Sequence, residues 1–235
     1  MGERIIVSGG EKLRAFDLPG ILPGKETPLP GSGALCAGQG SVYAASDGES
    51  AIYRLDANTL LPCGVYAGGP GMRALCLSAD GERLFALLSD ADSVLMLCAS
   101  TGAPMMLARV GVCPQNMRLS GEGERLVIAG GRDGCVHILC SRTLRLLARY
   151  RAEGFCADAS VRDGRIRALR LCGERGAAPG KLITGHGVTL LLDRLTDRLY
   201  LTEDVHGEAW RLVCAGVRDA ALIRDKEESD RASFP

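Results

Sequence analysis

The sequence predicts an all-β fold, a β-propeller of about six four-stranded blades, with five blades as the alternative. Two observations predict it. Apolar runs last only about four to seven residues between turn residues, and two columns of similar residues recur at one period. Helical solenoids have similar periods, but their units need amphipathic stretches of about ten residues or more. The short runs therefore favour strands over helices.

The first column is a charged turn that leads into an apolar strand. It is clearest in residues 80–90 and 122–131, where Arg83 and Arg125 occupy equivalent positions of consecutive units. A turn before each strand is what a sheet built from hairpins requires. Further copies of the pattern lie at residues 3–10, 40–47, 163–168 and 196–202.

The second column closes the next apolar run and includes Asp56, Cys98 and Cys140, which are spaced by the same step that separates Arg83 from Arg125. Because the two columns share one period, chance similarity explains them poorly. Further short runs and a Gly-rich bend, such as residues 68–71, complete each unit. Each unit is therefore predicted to contain four strands joined by turns.

The fifth and first units depart from this pattern. Arg165 and Arg198 are closer together in the sequence than Arg83 and Arg125, so we expect a shortened fifth unit with residues 173–180 as a loop in place of a strand. The first unit lacks an obvious innermost strand, unless the chain ends meet to complete a blade. We expect one propeller domain over residues 1–224 and a polar, mobile tail over residues 225–235.

Charge and hydropathy restrict the classes of partner. Lys plus Arg and Asp plus Glu both number 28, which leaves no excess positive charge to attract nucleic acid or an anionic membrane. No apolar stretch approaches the roughly 18 residues that a membrane helix needs. The first residues lack the apolar core of an export signal. We therefore expect a cytoplasmic protein that binds neither nucleic acid nor membranes.

The ten cysteines are scattered singly through apolar runs, as at Cys36, Cys76 and Cys98. Cysteine in such a setting behaves as a small apolar residue, so we expect reduced and mostly buried thiols. No Cys-x-x-Cys pair occurs, and three histidines are too few to make a zinc-ligand cluster convincing. Metal binding and redox roles are the alternatives for these cysteines, and the sequence leaves the metal and the cofactor unknown.

Residues 79–102 contain an Asp-Gly turn, an apolar strand, a loop rich in Ser and Asp, a second strand and Ser100-Thr101-Gly102. This run resembles the repeat of YVTN-type propellers, which are similar to the lactonase and quinoprotein-like propellers. The resemblance covers residues 4–224 at the level of the repeat. WD40-like propellers are less similar, because no Trp-Asp dipeptide occurs.

The chain also departs from the YVTN pattern. The tetrapeptide that names the family is absent. The Asp that usually closes the third strand is present in two units and replaced by cysteine in three. These positions are Asp17, Asp56, Cys98, Cys140 and Cys214.

In propellers, the loops after the second and fourth strands of each blade gather at one face around the axis. The repeat register assigns five candidate ligand-binding residues to these loops: His186, Glu203, Asp204, His206 and Asn116. The same loops contain Asp47, Asp90, Asp92, Cys113, Gln115, Arg132, Asp133 and Glu153.

These polar residues have structural as well as functional interpretations. Aspartates in tight turns bond nearby backbone amides, which is the main alternative to ligand binding. His137 lies within an apolar strand and is expected to be a packed or edge residue rather than a ligand. His186 and His206 lie in the expected face loops, where Glu203 and Asp204 could complete a metal site or an acid–base pair.

The sequence contains no nucleophile elbow, phosphate-binding glycine loop or zinc-protease motif. The leading interpretation is a non-catalytic propeller that binds a protein partner or a small-molecule ligand at its axial face or rim. The resemblance permits an alternative, a lactonase-like or other hydrolase with acidic residues and histidine at the axial opening. A third interpretation is a homo-oligomer formed through an open blade edge, since an unpaired strand invites another strand.

The balanced charge and the aromatic content of 4% generate a first prediction. A labelled oligonucleotide should not be retained by the protein at physiological salt, because too few cations and stacking residues are available. Filter binding over a range of salt concentrations tests this. Tight retention that falls steeply with salt would contradict it.

Overall fold

The structure is a computed structural model of the 235-residue chain. It describes residues 3–18, 20–120, 122–152, 155–162, 165–171, 181–185, 188–193, 198–202, 211–215 and 218–224. Beyond residue 152, side chains are described only at positions 159, 213 and 218–221. The expected loop at 173–180 and the expected tail at 225–235 lie outside the described residues.

The described residues form 21 strands and no helix, in agreement with the predicted all-β class. No helix that could cross a membrane is therefore found among them. In chain order the strands are β1 (Glu3–Ser8), β2 (Gly10–Leu18), β3 (Leu22–Gly38), β4 (Ser41–Ser46), β5 (Ala51–Asp56), β6 (Pro62–Ala67), β7 (Met72–Leu77), β8 (Arg83–Leu88), β9 (Ser93–Cys98), β10 (Pro104–Arg109), β11 (Asn116–Leu119), β12 (Arg125–Ala129), β13 (Cys135–Cys140), β14 (Leu146–Arg151), β15 (Phe155–Arg162), β16 (Arg165–Leu171), β17 (Lys181–Gly185), β18 (Val188–Asp193), β19 (Arg198–Thr202), β20 (Arg211–Ala215) and β21 (Asp219–Arg224).

The described strands form five antiparallel sheets. Their orders are β21-β1-β2-β3-β4-β5-β6, β10-β9-β8-β7, β11-β12-β13-β14, β15-β16 and β17-β18-β19-β20. The seven-stranded sheet is two four-stranded units that share the long strand β3. Residues 22–32 of β3 pair with β2, whereas residues 32–38 pair with β4.

The middle strands are apolar on both faces because each face packs against a neighbouring sheet. In β8, Leu84 and Leu88 belong to a core cluster with Ile52 of the preceding sheet. Phe85, which points the other way, packs in a second cluster with Leu126 of the following sheet. Full burial of such a side chain stabilises the fold by about 1.5–3 kcal/mol. Two-sided burial explains why these strands are continuous apolar runs rather than alternating ones.

The second sequence column corresponds to one turn that recurs after β5, β9 and β13. The carbonyl oxygens of Asp56, Cys98 and Cys140 accept the N–H of the residue four positions on, at 2.9, 2.8 and 2.8 Å. That fourth residue has a positive φ of 55°, 74° and 50°, respectively. The backbone turn is therefore kept in units where cysteine replaces aspartate.

The last sheet differs from the predicted register. The repeat pattern predicts that residues 198–202 form the second strand of a unit. In the structure they form β19, which is the third strand of the sheet β17-β18-β19-β20. The preceding sheet contains only β15 and β16 among the described residues, so the strand after β16 begins a new sheet. The shorter spacing between Arg165 and Arg198 therefore joins positions that are not equivalent.

The two ends of the described chain meet, as the sequence suggested for the first unit. β21 pairs antiparallel with β1 along its whole length, from Glu3↔Arg224 to Ser8↔Asp219. Asp219 is 3% exposed, and its carboxylate accepts the N–H of Leu35 at 2.8 Å and that of Ala220 at 2.9 Å. The Asp219 N–H donates to the Ser8 hydroxyl oxygen at 2.8 Å. One buried aspartate thus ties β21 to both β1 and β3.

The expectation of mostly buried cysteines is wrong for the described cysteines. The seven cysteines whose side chains are described are all free thiols, but of these only Cys135 is buried, Cys63 is exposed and five are partly exposed. Several of them end strands, as Cys98 and Cys140 do, where the sheet gives way to a surface turn. An apolar neighbourhood in the sequence therefore did not guarantee burial at a strand end.

The Asp219 contacts generate a stability prediction. Asp219→Ala leaves the buried Leu35 N–H without this acceptor, so the free energy of unfolding should fall by about 1–3 kcal/mol. Urea denaturation followed by circular dichroism measures this. Asp17→Ala, at an exposed position of β2, is the matched control and should change stability by less than about 0.5 kcal/mol. Equal effects of the two substitutions would contradict the assigned role of Asp219.

Candidate functional site

The turn between β12 and β13 gathers three side chains of different chemistry. Cys135 and His137 are two positions apart in β13, so they lie on the same face of the strand. Asp133 precedes them in the turn. Because His137 pairs with Ile128, this face is the one that packs toward the sheet of β7–β10. We refer to Asp133, Cys135 and His137 as the Asp133 cluster.

The Asp133 carboxylate is the centre of the cluster. Its Oδ1 accepts the N–H of Cys135 at 2.9 Å, and its Oδ2 lies 2.7 Å from Nε2 of His137. The Cys135 thiol donates to the carbonyl oxygen of Asp133 at 3.3 Å. Cys135 and His137 are 7% and 5% exposed, whereas the Asp133 side chain is 19% exposed. The cluster is therefore buried except on the Asp133 side.

Two glycines leave the space that the cluster occupies. A Cβ at Gly111 would lie 2.9 Å from Oδ2 of Asp133 and 3.0 Å from Nε2 of His137. A Cβ at Gly130 would collide with Oδ1 of Asp133. Gly111 also has a φ of +59°, which side chains rarely adopt. The backbone of two segments thus approaches the carboxylate and the imidazole directly.

Chemically, the cluster offers a carboxylate, a thiol and an imidazole whose ligand atoms all lie within 4.8 Å of one another. This is the one grouping of potential metal-binding side chains found among the described residues. The cluster contains neither a Cys-x-x-Cys pair nor a loop histidine, so these two sequence signals do not reveal it. The signal was present in Asp-x-Cys-x-His, since a period of two places alternate residues on one face of a strand. The expectation that His137 is packed is confirmed by its burial.

The segment after β10 lies against this turn. Val112 and Gly131 form a parallel bridge, and the Arg132 N–H donates to the Val112 carbonyl oxygen at 3.0 Å. The Cys113 N–H donates to Oδ1 of Asp92 at 2.8 Å, from the loop between β8 and β9. Loops from two neighbouring sheets therefore meet beside the β12–β13 turn. The repeat register predicted that the loops containing Asp92, Cys113 and Arg132 would gather together.

Charged residues from several parts of the chain affect the pKa of Asp47, which the repeat register also assigned to these loops. Partial burial raises the pKa of the Asp47 carboxyl, the charges of Arg218 and Arg73 lower it, and the charge of Asp90 raises it. These four residues are far apart in the sequence but interact electrostatically. Asp90, which the repeat register assigns to the same set of loops as Asp47, is thus close enough to affect the pKa of Asp47.

The five candidate ligand-binding residues have different outcomes. His186, Glu203, Asp204 and His206 lie outside the described residues. Their assignment to one face rested on a repeat register that the order of β17–β20 does not follow. Asn116 is the first residue of β11 and is 7% exposed, and its Oδ1 accepts the N–H of Met117 at 2.8 Å. This bond mirrors the one from Ala220 to Asp219 at the start of β21.

Two further concave surfaces lie near the turns that follow β9 and β13. The first, which we call the β9 groove, has a volume of about 760 Å³. The second, the β13 groove, has a volume of about 320 Å³, and Arg142 lines both grooves. The β9 groove is lined by Asp80, Gly81, Glu82, Arg83, Cys98, Ser100, Met105 and Arg142. The β13 groove is lined by Glu124, Arg125, Cys140, Arg142, Arg145 and Leu147.

The two grooves differ in charge. In the β9 groove, Asp80 pairs with Arg83, and hydrogen bonds from the Ser78 hydroxyl, the Glu82 N–H and Arg83 lower the pKa of Asp80 to about 2. Asp80 and Glu82 there balance the two arginines. The β13 groove instead contains three arginines against one glutamate. It is therefore a locally cationic surface in a chain of zero net charge.

Each groove also contains a thiol at the position where the YVTN pattern has aspartate. The Sγ of Cys98 lies 3.2 Å from Oγ of Ser100, and hydrogen bonds from Ser100 and Thr101 lower the pKa of the Cys98 thiol to about 6. Hydrogen bonds from Thr143 and from the Arg142 backbone lower the pKa of Cys140 as well. At Asp56 the N–H and hydroxyl of Thr59 donate hydrogen bonds to the carboxylate. The equivalent donors in the turns at Cys98 and Cys140 thus stabilise a thiolate.

The Cys98 environment generates a reactivity prediction. Since its pKa is lowered to about 6 from the ordinary 9.0, Cys98 is largely thiolate at pH 7. Its alkylation by iodoacetamide should rise through pH 6 and level off above it, as followed by peptide mass spectrometry. Replacing the hydroxyl donors by Ser100→Ala and Thr101→Val should move the midpoint upward. Thr59→Val, in the equivalent turn at Asp56, is the control, and a Cys98 midpoint that stays near 9 would contradict the assignment.

Comparison with known proteins identifies the type of fold. No protein-family model matches the sequence, and no curated protein sequence matches it. Solved structures do match it. Hydrazine synthase of Kuenenia stuttgartiensis has a TM-score of 0.54 at 14% identity, over 84% of this chain and 50% of that chain. A chain of the mitotic checkpoint complex has a TM-score of 0.57 at 13% identity, over 87% of this chain and 58% of that chain.

A third similar structure is the dihydro-heme d1 dehydrogenase NirN in complex with DHE, with a TM-score of 0.58 at 14% identity, over 89% of this chain and 52% of that chain. The chain thus spans between 50% and 58% of the length of these three chains. All three are β-propeller proteins, and they include both enzymes and an interaction assembly. At such low identity the likeness concerns the fold alone. The chain has a propeller-type fold.

Proposed function

We propose that the chain is a six-bladed propeller that acts as a protein-interaction module. In this proposal it binds an extended, acidic segment of a partner protein along β14. The YVTN-type character expected from the sequence belongs to the same proposal.

The contacts among first strands support six units in a ring. β21 contacts β3, β3 contacts β7, β7 contacts β11 and β11 contacts β15, each from one unit to the next. β17 contacts β21, which brings the last four-stranded sheet against the first unit. With β3 shared between two units and β15–β16 as a shortened one, the count is six. Such an order is that of strands arranged around an axis.

The observation that carries the proposed function is the apolar character of the edge strands. Among the described strands, β14 is an edge of its sheet, and its Leu146, Leu147 and Tyr150 are 53%, 44% and 48% exposed. An edge strand has backbone N–H and C=O groups free to pair, and proteins usually protect such edges. Exposed apolar side chains beside a pairing edge favour the addition of a strand from a partner.

The charge around β14 specifies the kind of partner. Leu147 lines the β13 groove together with Arg125, Arg142 and Arg145. Neither Arg142 nor Arg145 forms an ion pair with another described residue. An extended segment with an apolar and an acidic side chain on the same face would place its apolar residue on Leu147 and its carboxylate near the arginines. Complementary charge of this kind increases both specificity and association rate.

Selection of random peptides displayed on phage against the immobilised full chain tests the proposal. We expect the selected peptides to carry acidic and apolar residues two positions apart, so that both lie on one face of the extended peptide. Arg145→Glu and Leu147→Asp should each weaken binding of the synthetic labelled peptides by about tenfold or more, about 1.4 kcal/mol, as measured by fluorescence anisotropy.

The matched control is Arg109→Glu, a charge reversal on the edge strand β10, which should leave peptide affinity unchanged. Selected peptides without acidic residues would contradict the proposal. So would peptides whose affinity is unaffected by both β14 substitutions. Self-association through β14, detected as a dimer that excludes the peptides, would assign this edge to a second copy of the chain instead.

A further inference from the structure

We propose that Asp133, Cys135 and His137 form a binding site for a divalent transition-metal ion of the zinc type. The three side chains supply one oxygen, one sulfur and one nitrogen ligand, all within 4.8 Å of one another. Three protein ligands with an open fourth position are the arrangement of many reactive zinc sites. This proposal is independent of the function proposed for β14, which lies on the rim.

The ligand atoms need only small movements to coordinate an ion. Tetrahedral coordination with metal–ligand bonds of about 2.0–2.3 Å places ligand atoms roughly 3.3–3.7 Å apart. In the structure, Oδ2 of Asp133 and Nε2 of His137 are 2.7 Å apart, held by a hydrogen bond. An ion inserted between them would replace the shared proton, and the adjustments are on the order of 1 Å. The hydrogen bond therefore holds two of the ligands close to their positions in a complex.

The ligand set selects the class of ion. Calcium and magnesium take oxygen ligands almost exclusively, so a site with thiolate and imidazole excludes them. Thiolate and imidazole together suit zinc and its cobalt analogue. Burial of Cys135 and His137 also protects the sulfur and nitrogen ligands from competing solvent. The 19% exposure of the Asp133 side chain leaves a path by which an ion and a water ligand reach the site.

The neighbouring unit shows that the fold does not need these three side chains. One repeat earlier, the equivalent positions hold Ala91, Ser93 and Leu95. Ser93 donates its hydroxyl to the Ala91 carbonyl oxygen at 2.7 Å, as the Cys135 thiol donates to that of Asp133 at 3.3 Å. The turn is therefore formed by a serine without carboxylate or imidazole. A metal-binding role accounts for the additional residues in the β12–β13 turn.

Metal binding at this cluster exchanges protons for the ion. The Cys135 thiol loses its proton to solvent and donates a sulfur lone pair to the ion. The proton on Nε2 of His137 moves to Nδ1 or to solvent, and the nitrogen lone pair coordinates in its place. Asp133 coordinates through one carboxylate oxygen. No oxidation or reduction is involved, and the released protons go to solvent.

Cobalt titration of the full chain, first freed of metal with a chelator, tests the proposal. We expect one equivalent of Co²⁺ to produce tetrahedral d–d bands in the visible range and a thiolate-to-cobalt charge-transfer band in the near ultraviolet. Zinc should displace the cobalt and abolish both. Cys135→Ser should remove the charge-transfer band, and His137→Gln should weaken cobalt binding by about tenfold or more.

The matched control is Cys113→Ser, which removes a partly exposed thiol from the adjacent segment and should leave the spectrum unchanged. A second measurement uses the unmodified chain, so it does not depend on the folding of variants. Zinc should protect Cys135 from alkylation in peptide mass spectrometry while Cys63 stays reactive. Absence of cobalt bands, a charge-transfer band that survives Cys135→Ser, or alkylation of Cys135 unaffected by zinc would each overturn the proposal.

Discussion

The pairing of β21 with β1 is the constraint on which the arrangement of the other strands depends. Every other described strand pairs with a neighbour in the sequence, so only this pair joins the two ends of the described chain. Asp219 secures it from within, because its carboxylate and N–H bond β21 to β3 and β1 together. Without that pair, β1 would be an open edge and β21 would have no described partner in any sheet.

Two-sided packing then decides where polar chemistry can lie. The inner and middle strands are filled by apolar side chains shared between adjacent sheets, so polar groups are displaced to the turns and the outer strands. The Asp133 cluster lies at the end of a middle strand, where His137 occupies a position that could hold an apolar residue. The arginines of the β13 groove lie at the rim, where water solvates them. The two proposed sites thus lie in different environments, one buried and one exposed to water, and they bind different kinds of ligand.

The exchange of aspartate for cysteine at the third-strand turns has a single physical explanation. The turn presents hydroxyl and N–H donors to whatever acceptor ends the strand. At Asp56 the acceptor is a carboxylate, whose pKa is lowered by bonds from Thr59. At Cys98 and Cys140 it is sulfur, and equivalent donors lower the thiol pKa. The turn therefore retains its hydrogen bonds while its chemical reactivity changes from unit to unit.

The sequence by itself determined the strand class, the constant repeat step and the turns at Asp56, Cys98 and Cys140, because these follow from short-range periodicity and turn chemistry. The tertiary structure decided what depends on contacts between distant residues. These include the pairing of β21 with β1, the position of β19 in its sheet, the exposure of the strand-end cysteines and the arginine groove at Arg142. Asp133, Cys135 and His137 fall between the two cases. Their alternation is local, but the approach of Gly111, which encloses them, comes from another sheet and could not be read from the sequence.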